Sequence, residues 1–313
     1  MADFAPGRGV HGTQDAQDEP AGSAAAEPGS QGTAGTGTPG TGAAPAGPTG
    51  PQANPHAEPR AEPEVKAQVA APAPAAEPEP VDVLVIGAHP DDAEIGMGGT
   101  LVKLHRLGYR IGLIDLTRGE LGSKGTPERR AQEAAAAARV YGARFRLNLH
   151  LGDNRVEDSP ALGRKLAALI RRCRPRLVFT HHGDDRHPDH RGAWALVRRA
   201  VFQAALRNLD LGEPYHLVDA LLFFPVNEWV EPSFVVDITD TFEGKLQAMR
   251  AFASQFVEPT APIDHKYFGV EDYLEAATVR ARHYGLRIGV RYGEAFLADA
   301  VPVADPVAAF RRG

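Results

Sequence analysis

The chain has 313 residues, 43% apolar and 24% charged, with a formal net charge of −6. That length suffices for one large α/β domain plus a tail, or for two small domains. The mild acidity and the lack of a basic stripe argue against nucleic acid as a partner. No apolar run reaches the ~18–20 residues of a membrane span.

Residues 1–80 differ from the rest. Stretches such as Gly35-Thr36-Gly37-Thr38-Pro39-Gly40 and Pro72-Ala73-Pro74-Ala75-Ala76-Glu77-Pro78 carry almost no large apolar side chains. Such a segment cannot bury enough surface to offset its ordering entropy, so a disordered tail is expected. It lacks the basic start and apolar core of a secretory signal. It is a solvating tail, or translation starts near Val81. The folded domain is expected over 81–300, with a C-terminal extension over 301–313. Val81–Ala88 is an apolar run closed by a Gly-Ala-His-Pro turn and reads as a buried strand. Gly98–Leu107 has helical spacing and stops at Gly108. Arg110–Leu116 is the next strand, and Thr117–Thr126 is a glycine-rich, polar loop. Pro127 suits the first turn of a helix that runs to about Tyr141. Phe145–Leu151 reads as a strand, Ser159–Arg174 as a helix and Arg176–Thr180 as a strand. A helix over Asp189–Leu209, strands over Leu217–Phe224 and Ser233–Ile238, and helices near Phe242–Phe252 and Glu271–Tyr284 complete the pattern. Strands alternating with helices predict a parallel sheet covered on both faces. Ligands bind such sheets beyond the carboxyl ends of the strands.

Two motifs sit at those ends: Ala88-His89-Pro90-Asp91-Asp92-Ala93-Glu94 and His187-Pro188-Asp189-His190. Catalytic zinc takes imidazole nitrogen and carboxylate oxygen from three protein ligands and keeps an open position. His89 and Asp92, on a turn stiffened by Pro90, can face one point, and His190 is the expected third ligand. A His2Asp set also accepts Fe(II), Mn(II) or Co(II). Asp91 is then left beside the metal as a general base. His187 can stabilise an oxyanion and protonate a leaving amine. Asp189 can orient a histidine. His181 and His182 are further ligand candidates, although ending the strand and lining the cavity wall is the simpler role. Glu94 is expected to hydrogen-bond backbone near the loop.

The rival readings are weaker. Gly96-Met97-Gly98-Gly99 does not satisfy the dinucleotide spacing, and acids occupy the turn where pyrophosphate would need amides. No G-x-S-x-G elbow is present. The single cysteine, Cys173, excludes an intrachain disulfide and points to a reducing, cytoplasmic setting. It reads as a small buried hydrophobe.

The two motifs together resemble the PIG-L/LmbE zinc-dependent N-acetylglucosamine deacetylases, over about Val81–Leu297. Gly96–Thr100, Asp115-Leu116-Thr117, Gly125-Thr126, Asp185–His190, Ser254-Gln255-Phe256 and Gly289–Phe296 are similar to the bacillithiol-biosynthesis subgroup, which deacetylates N-acetylglucosaminyl-malate. The resemblance implies an α/β fold, a Rossmann-like three-layer α/β/α sandwich with a mostly parallel sheet. It implies zinc on His89, Asp92 and His190, Asp91 as base, His187 and Asp189 in support, and a homo-oligomer. The implied substrate is a small GlcNAc conjugate, most simply GlcNAc-malate, with a GlcNAc-inositol or an oligosaccharide as the alternative. Arg130 would contact substrate, and a guanidinium can grip a malate carboxylate bidentately. Read without the resemblance, Arg130 would be a surface residue pairing Glu133 or Gln132. Tyr273 would reach the reacting carbonyl. Around Val257–Phe268 the chain departs from the subgroup. A non-catalytic metal or sugar binder is the rival from another class, but binding metal requires neither Asp91 nor His187.

Overall fold

The computed structural model describes residues 77–258 and 272–305. The expected tail over 1–80 therefore lies outside the described residues except for 77–80. The same holds for the departure at 257–268 beyond residue 258 and for the extension over 301–313 beyond residue 305. Among the described residues, no helix is long and apolar enough to cross a membrane.

The elements, in chain order, are β1 (Val83–Gly87), α1 (Asp92–Arg106), β2 (Ile111–Asp115), α2 (Pro127–Val140), β3 (Phe145–Asn148), α3 (Pro160–Cys173), β4 (Leu177–His181), α4 (Pro188–Ala205), β5 (Ala220–Phe224), β6 (Phe234–Asp237), α5 (Phe242–Arg250), α6 (Ala253–Phe256), α7 (Tyr273–Ile288) and β7 (Gly293–Ala298). They build a seven-stranded sheet of order β3-β2-β1-β4-β5-β7-β6. The pairs from β3 to β5 are parallel, while β7 lies antiparallel to both β5 and β6. The mostly parallel α/β fold expected from the strand–helix alternation is the fold observed.

Side chains of a strand alternate between faces, and β1 supplies both layers. Leu84 and Ile86 pack with Leu166, Ile170, Leu196 and Val197 of α3 and α4. Val83 and Val85 pack with Met97, Leu101, Ala137 and Phe252 on the side of α1 and α2. Burial on both faces is why β1 reads as a continuous apolar run. Ser159 and Thr126 cap α3 and α2, each just ahead of a proline, as the N-terminal preferences require.

Several boundaries differ from expectation. The helix expected over Gly98–Leu107 begins already at Asp92, with a break at Met97. The third strand ends at Asn148 rather than Leu151, where His150 turns to φ 51°. Helix α4 ends at Ala205, short of Leu209. Strand β7 and the short α6 are not foreseen; β7 is held by partners on both sides that only the fold brings to it.

The sheet reverses its winding between β1 and β4, which are hydrogen-bonded neighbours. At such a switch point the loops after the two strands diverge and leave a crevice. Both motifs open onto it.

Candidate active site

The loop after β1 is pinned from several sides. Thr117 Oγ1 donates to the Ala88 carbonyl at 2.9 Å, and the Ala88 amide donates to His181 Nε2 at 2.9 Å. The His89 amide donates to Asp92 Oδ2 at 2.7 Å. Asp91 has φ 112°, a region that disfavours side chains. Such strain concentrates at functional sites. Its carboxylate turns to Arg130, whose Nη2 lies 2.9 Å from Oδ2. Burial, reinforced by Asp92 and opposed by Arg130, pushes the Asp91 carboxyl up to about 7.

Asp92 lies between imidazoles. Its Oδ2 is 3.4 Å from His89 Nδ1, and its Oδ1 is 3.3 Å from His190 Nε2. The Asp92 carboxylate thus stands between the imidazoles of His89 and His190, one oxygen toward each. His187 caps α4: its Nδ1 accepts the Asp189 amide at 3.2 Å. In the neutral ring the proton then sits on Nε2. Burial and the neighbouring His190 lower the His187 pKa and favour that neutral form. Asp189 Oδ2 is 3.3 Å from His89 Nε2, and its carboxylate accepts the amides of Asn154 and Val156 at 2.7 and 3.1 Å.

Two acids to which the sequence assigns no role complete the cluster. Asp153 Oδ1 lies 3.2 Å from His89 Nε2, while Oδ2 accepts the Leu121 amide at 2.9 Å. Its only signal is position, an acid in the loop after β3 at the same sheet edge. Asp185 Oδ2 lies 3.1 Å from His190 Nδ1, and its carboxylate also accepts from His187 and Asn227. His181 does not line the cavity wall as expected. It is fully buried behind Asp92, with Nε2 3.1 Å from Oδ2 and its ring stacked on His190. Burial, then the charge on His190, drops its pKa to about 4. His182 lies apart, in a surface hollow with Asp184 and Trp229. Glu94 does not bond loop backbone as expected; it accepts from Tyr141 Oη and Arg146 Nη1, each at 2.6 Å.

Ligand atoms of His89, His187 and His190, of Asp92, His181 and His190, and of His89, Asp153 and Asp189 form overlapping groups, each within 4.8 Å. Asp91, Asp92, Asp153, Asp185 and Asp189 are all buried, and buried carboxylates demand compensating positive charge. Burial would lower the pKa of His190, yet Asp92 and Asp185 override it and push the imidazole up to about 9. A bound cation would meet the same demand. Imidazole nitrogen with carboxylate oxygen suits zinc, and also Fe(II), Mn(II) or Co(II).

A cavity of about 510 Å³ opens over this cluster, lined by His89, Asp91, His187, Arg130, Lys124 and Tyr273 among others. Arg130 pairs with neither Glu133 nor Gln132. It is buried, and its guanidinium donates to Asp91 and to the carbonyls of Pro90 and Gly119 at 2.8 and 3.1 Å. Tyr273 opens α7, with its ring 5.6 Å from Phe256 and Lys124 Nζ 5.3 Å from its centre. The glycine-rich loop is tied to α6: Lys124 Nζ donates to the Gln255 carbonyl, and Gln255 Nε2 to the Lys124 carbonyl.

Residues 84–201 match the family described as PIG-L, GlcNAc-PI de-N-acetylase. The chain is 32% identical over 230 residues to a diacetylchitobiose deacetylase of Thermococcus kodakarensis, spanning 68% of this chain and 80% of that protein. It is 30% identical over 171 residues to a 1D-myo-inositol 2-acetamido-2-deoxy-alpha-D-glucopyranoside deacetylase of Thermobifida fusca, spanning 42% of this chain and 58% of that protein. Among solved structures, the conserved protein TT1542 of Thermus thermophilus superposes with a TM-score of 0.66 at 40% identity, covering 74% of this chain and 100% of that one.

Proposed function

The chain belongs to the PIG-L family and is an N-deacetylase, and on that premise we propose that it removes acetate from an N-acetylglucosamine conjugate whose aglycone is neutral, a second sugar or an inositol. The observation that carries the deacetylation chemistry is the buried Asp91–Arg130 pair beside the Asp92 carboxylate, which itself lies between His89 and His190. The likeness to a chitobiose deacetylase supports a sugar aglycone. The likeness to a GlcNAc-inositol deacetylase supports inositol.

His89, Asp92 and His190 would hold the metal. A bound zinc ion supplies a Lewis acid that polarises the acetamide carbonyl and acidifies water. Asp91 takes the proton of the attacking water, and Arg130 keeps its carboxylate turned to the site. His187, with Nδ1 occupied by the Asp189 amide, offers Nε2–H to the oxyanion that develops on the carbonyl oxygen. The carbon–nitrogen bond then breaks, acetate leaves, and the amine takes up the proton that Asp91 received from the water. Asp189 and Asp185 orient His89 and His190.

GlcNAc-malate is the second reading, and Lys124 is what favours it. Its ammonium stands at the cavity wall beside Tyr273 and could meet a carboxylate. Arg130 supports that reading less, because its Nη1 and Nη2 already serve Asp91 and backbone carbonyls. Acetate release by the zinc-loaded protein from diacetylchitobiose, GlcNAc-inositol and GlcNAc-malate, compared as kcat/KM, tests both. A higher value for either neutral conjugate is expected. A preference for GlcNAc-malate that disappears in Lys124→Met would establish the second reading, and no acetate from any of them would overturn both.

A further inference from the structure

Helix α1 is broken at Met97, whose φ of −145° and ψ of 22° are not helical. In an unbroken helix the Gly99 amide would donate to the Ile95 carbonyl, and the Thr100 amide to Gly96. Here those amides donate to the carboxylate of Glu294, at 3.0 and 2.7 Å. On the other side of the break, the carbonyls of Glu94 and Ile95 accept from Lys245 Nζ at 3.2 and 2.7 Å. Lys245 and Glu294 are paired with each other at 2.5 Å, their side chains 3% and 4% exposed. An ammonium thus caps the carbonyl end of the first turn, and a carboxylate caps the amide end of the segment that follows. Each charge has the sign that its helix end favours.

Neither residue takes part in the chemistry above, and each comes from far along the chain, Lys245 from α5 and Glu294 from β7. The turn they grip, residues 92–96, begins with Asp92. One isolated turn has almost no stability of its own. Its inner side is set by close contact: a Cβ on Gly96 would lie 2.4 Å from the Phe224 ring. Its direction is set by what holds its far end.

We propose that Lys245 and Glu294 are positioning residues for the metal site, which cap both sides of the break in α1 and so hold the Asp92 carboxylate between His89 and His190. The inference rests on the assignment of those three residues as ligands. A buried ion pair can also be a mere packing element, and the test must separate the two.

The test is zinc affinity of the full chain, measured by chelator competition with zinc alone, alongside the thermal midpoint of the metal-free protein. Glu294→Gln and Lys245→Met are expected to weaken zinc roughly 10- to 100-fold, as loss of outer-shell support does. Lys245→Arg, which keeps charge and donors, is expected to stay near wild type. Leu166→Ala, in the opposite layer of the core, is the control: it lowers the midpoint and leaves zinc affinity within about twofold. Should either stronger change prevent folding, Lys245→Gln keeps one donor for the Ile95 carbonyl and is expected to weaken zinc about tenfold. If the Lys245 and Glu294 variants bind zinc as wild type does while Asp92→Ala and His190→Ala lose it, the positioning role is overturned and the ligand assignment stands. If Asp92→Ala and His190→Ala also bind as wild type, the ligand assignment fails and the inference falls with it.

Discussion

Arg130 Nη2 lies 2.9 Å from Asp91 Oδ2, and both residues are buried. The guanidinium also binds the carbonyl of Pro90, the residue just before Asp91, and that of Gly119 in the glycine-rich loop. It therefore orients a strained carboxylate and ties two loops of the crevice together. The resemblance gives this arginine to the substrate, whereas its hydrogen bonds go to the protein.

Arg130→Met separates those roles. Loss of a residue that orients the base lowers kcat, by about 10²-fold, with KM nearly unchanged. If Arg130 grips substrate, KM rises instead while kcat holds. Steady-state kinetics on diacetylchitobiose distinguishes the two.

Asp91→Asn is expected to lower kcat by about 10²- to 10⁴-fold while zinc content stays at the wild-type level. His190→Ala is expected to lower zinc content itself. Elemental analysis of the purified proteins, set beside acetate release, reads both effects. Zinc lost from Asp91→Asn would contradict its role as a base that does not coordinate.

Asp185→Asn leaves the imidazole of His190 without its carboxylate partner at 3.1 Å. Zinc affinity is expected to fall roughly 10- to 100-fold, and removal of metal by a chelator becomes faster than in wild type. Competition with a chromogenic chelator measures both.

Arg146 joins Glu94 and Asp115 at 2.6 and 2.7 Å beneath the site, with its side chain 6% exposed. Arg146→Met leaves both carboxylates buried without that charge, which costs about 3–5 kcal/mol. Urea unfolding of the metal-free protein is the measurement, and a loss under about 1 kcal/mol would show that the acids find other partners.

Cys173 is fully buried, and burial pushes its thiol up to about 12. A group raised this far stays a thiol throughout the neutral range, and the thiolate is the reactive form. The native protein is expected to resist iodoacetamide at pH 8 and to react once unfolded. Rapid labelling of the native state would show that α3 opens.

Much of this was legible in the sequence for local reasons. Val83–Gly87 is apolar throughout because both faces of β1 are covered, and that pattern needs no knowledge of partners. Thr126 and Ser159 announce their helices through capping and a following proline. His89, Asp91 and Asp92 stand out because acids and an imidazole crowd a strand end. Other residues have no role that the sequence assigns, even where, as for Asp185 and Glu294, they lie in segments that the resemblance covers. Asp153 and Asp185 are ordinary loop acids until β3 and β4 bring them beside His89 and His190. Glu294 lies in a strand that sequence analysis did not detect, and its carboxylate caps a helix 195 residues away.

The kind of chemistry, and the edge of the sheet on which it sits, follow from local features of the chain. Residue type sets what a side chain can donate, accept or ligate, and periodicity sets where strands end; both are local properties. Which partner each of those groups meets depends on the packed fold. Arg130 turns inward to Asp91, His181 retreats behind Asp92, and Lys245 with Glu294 closes the break in α1. Those pairings depend on strand order and on which helix covers which face, because a buried charge must find its counterpart wherever the packing leaves one.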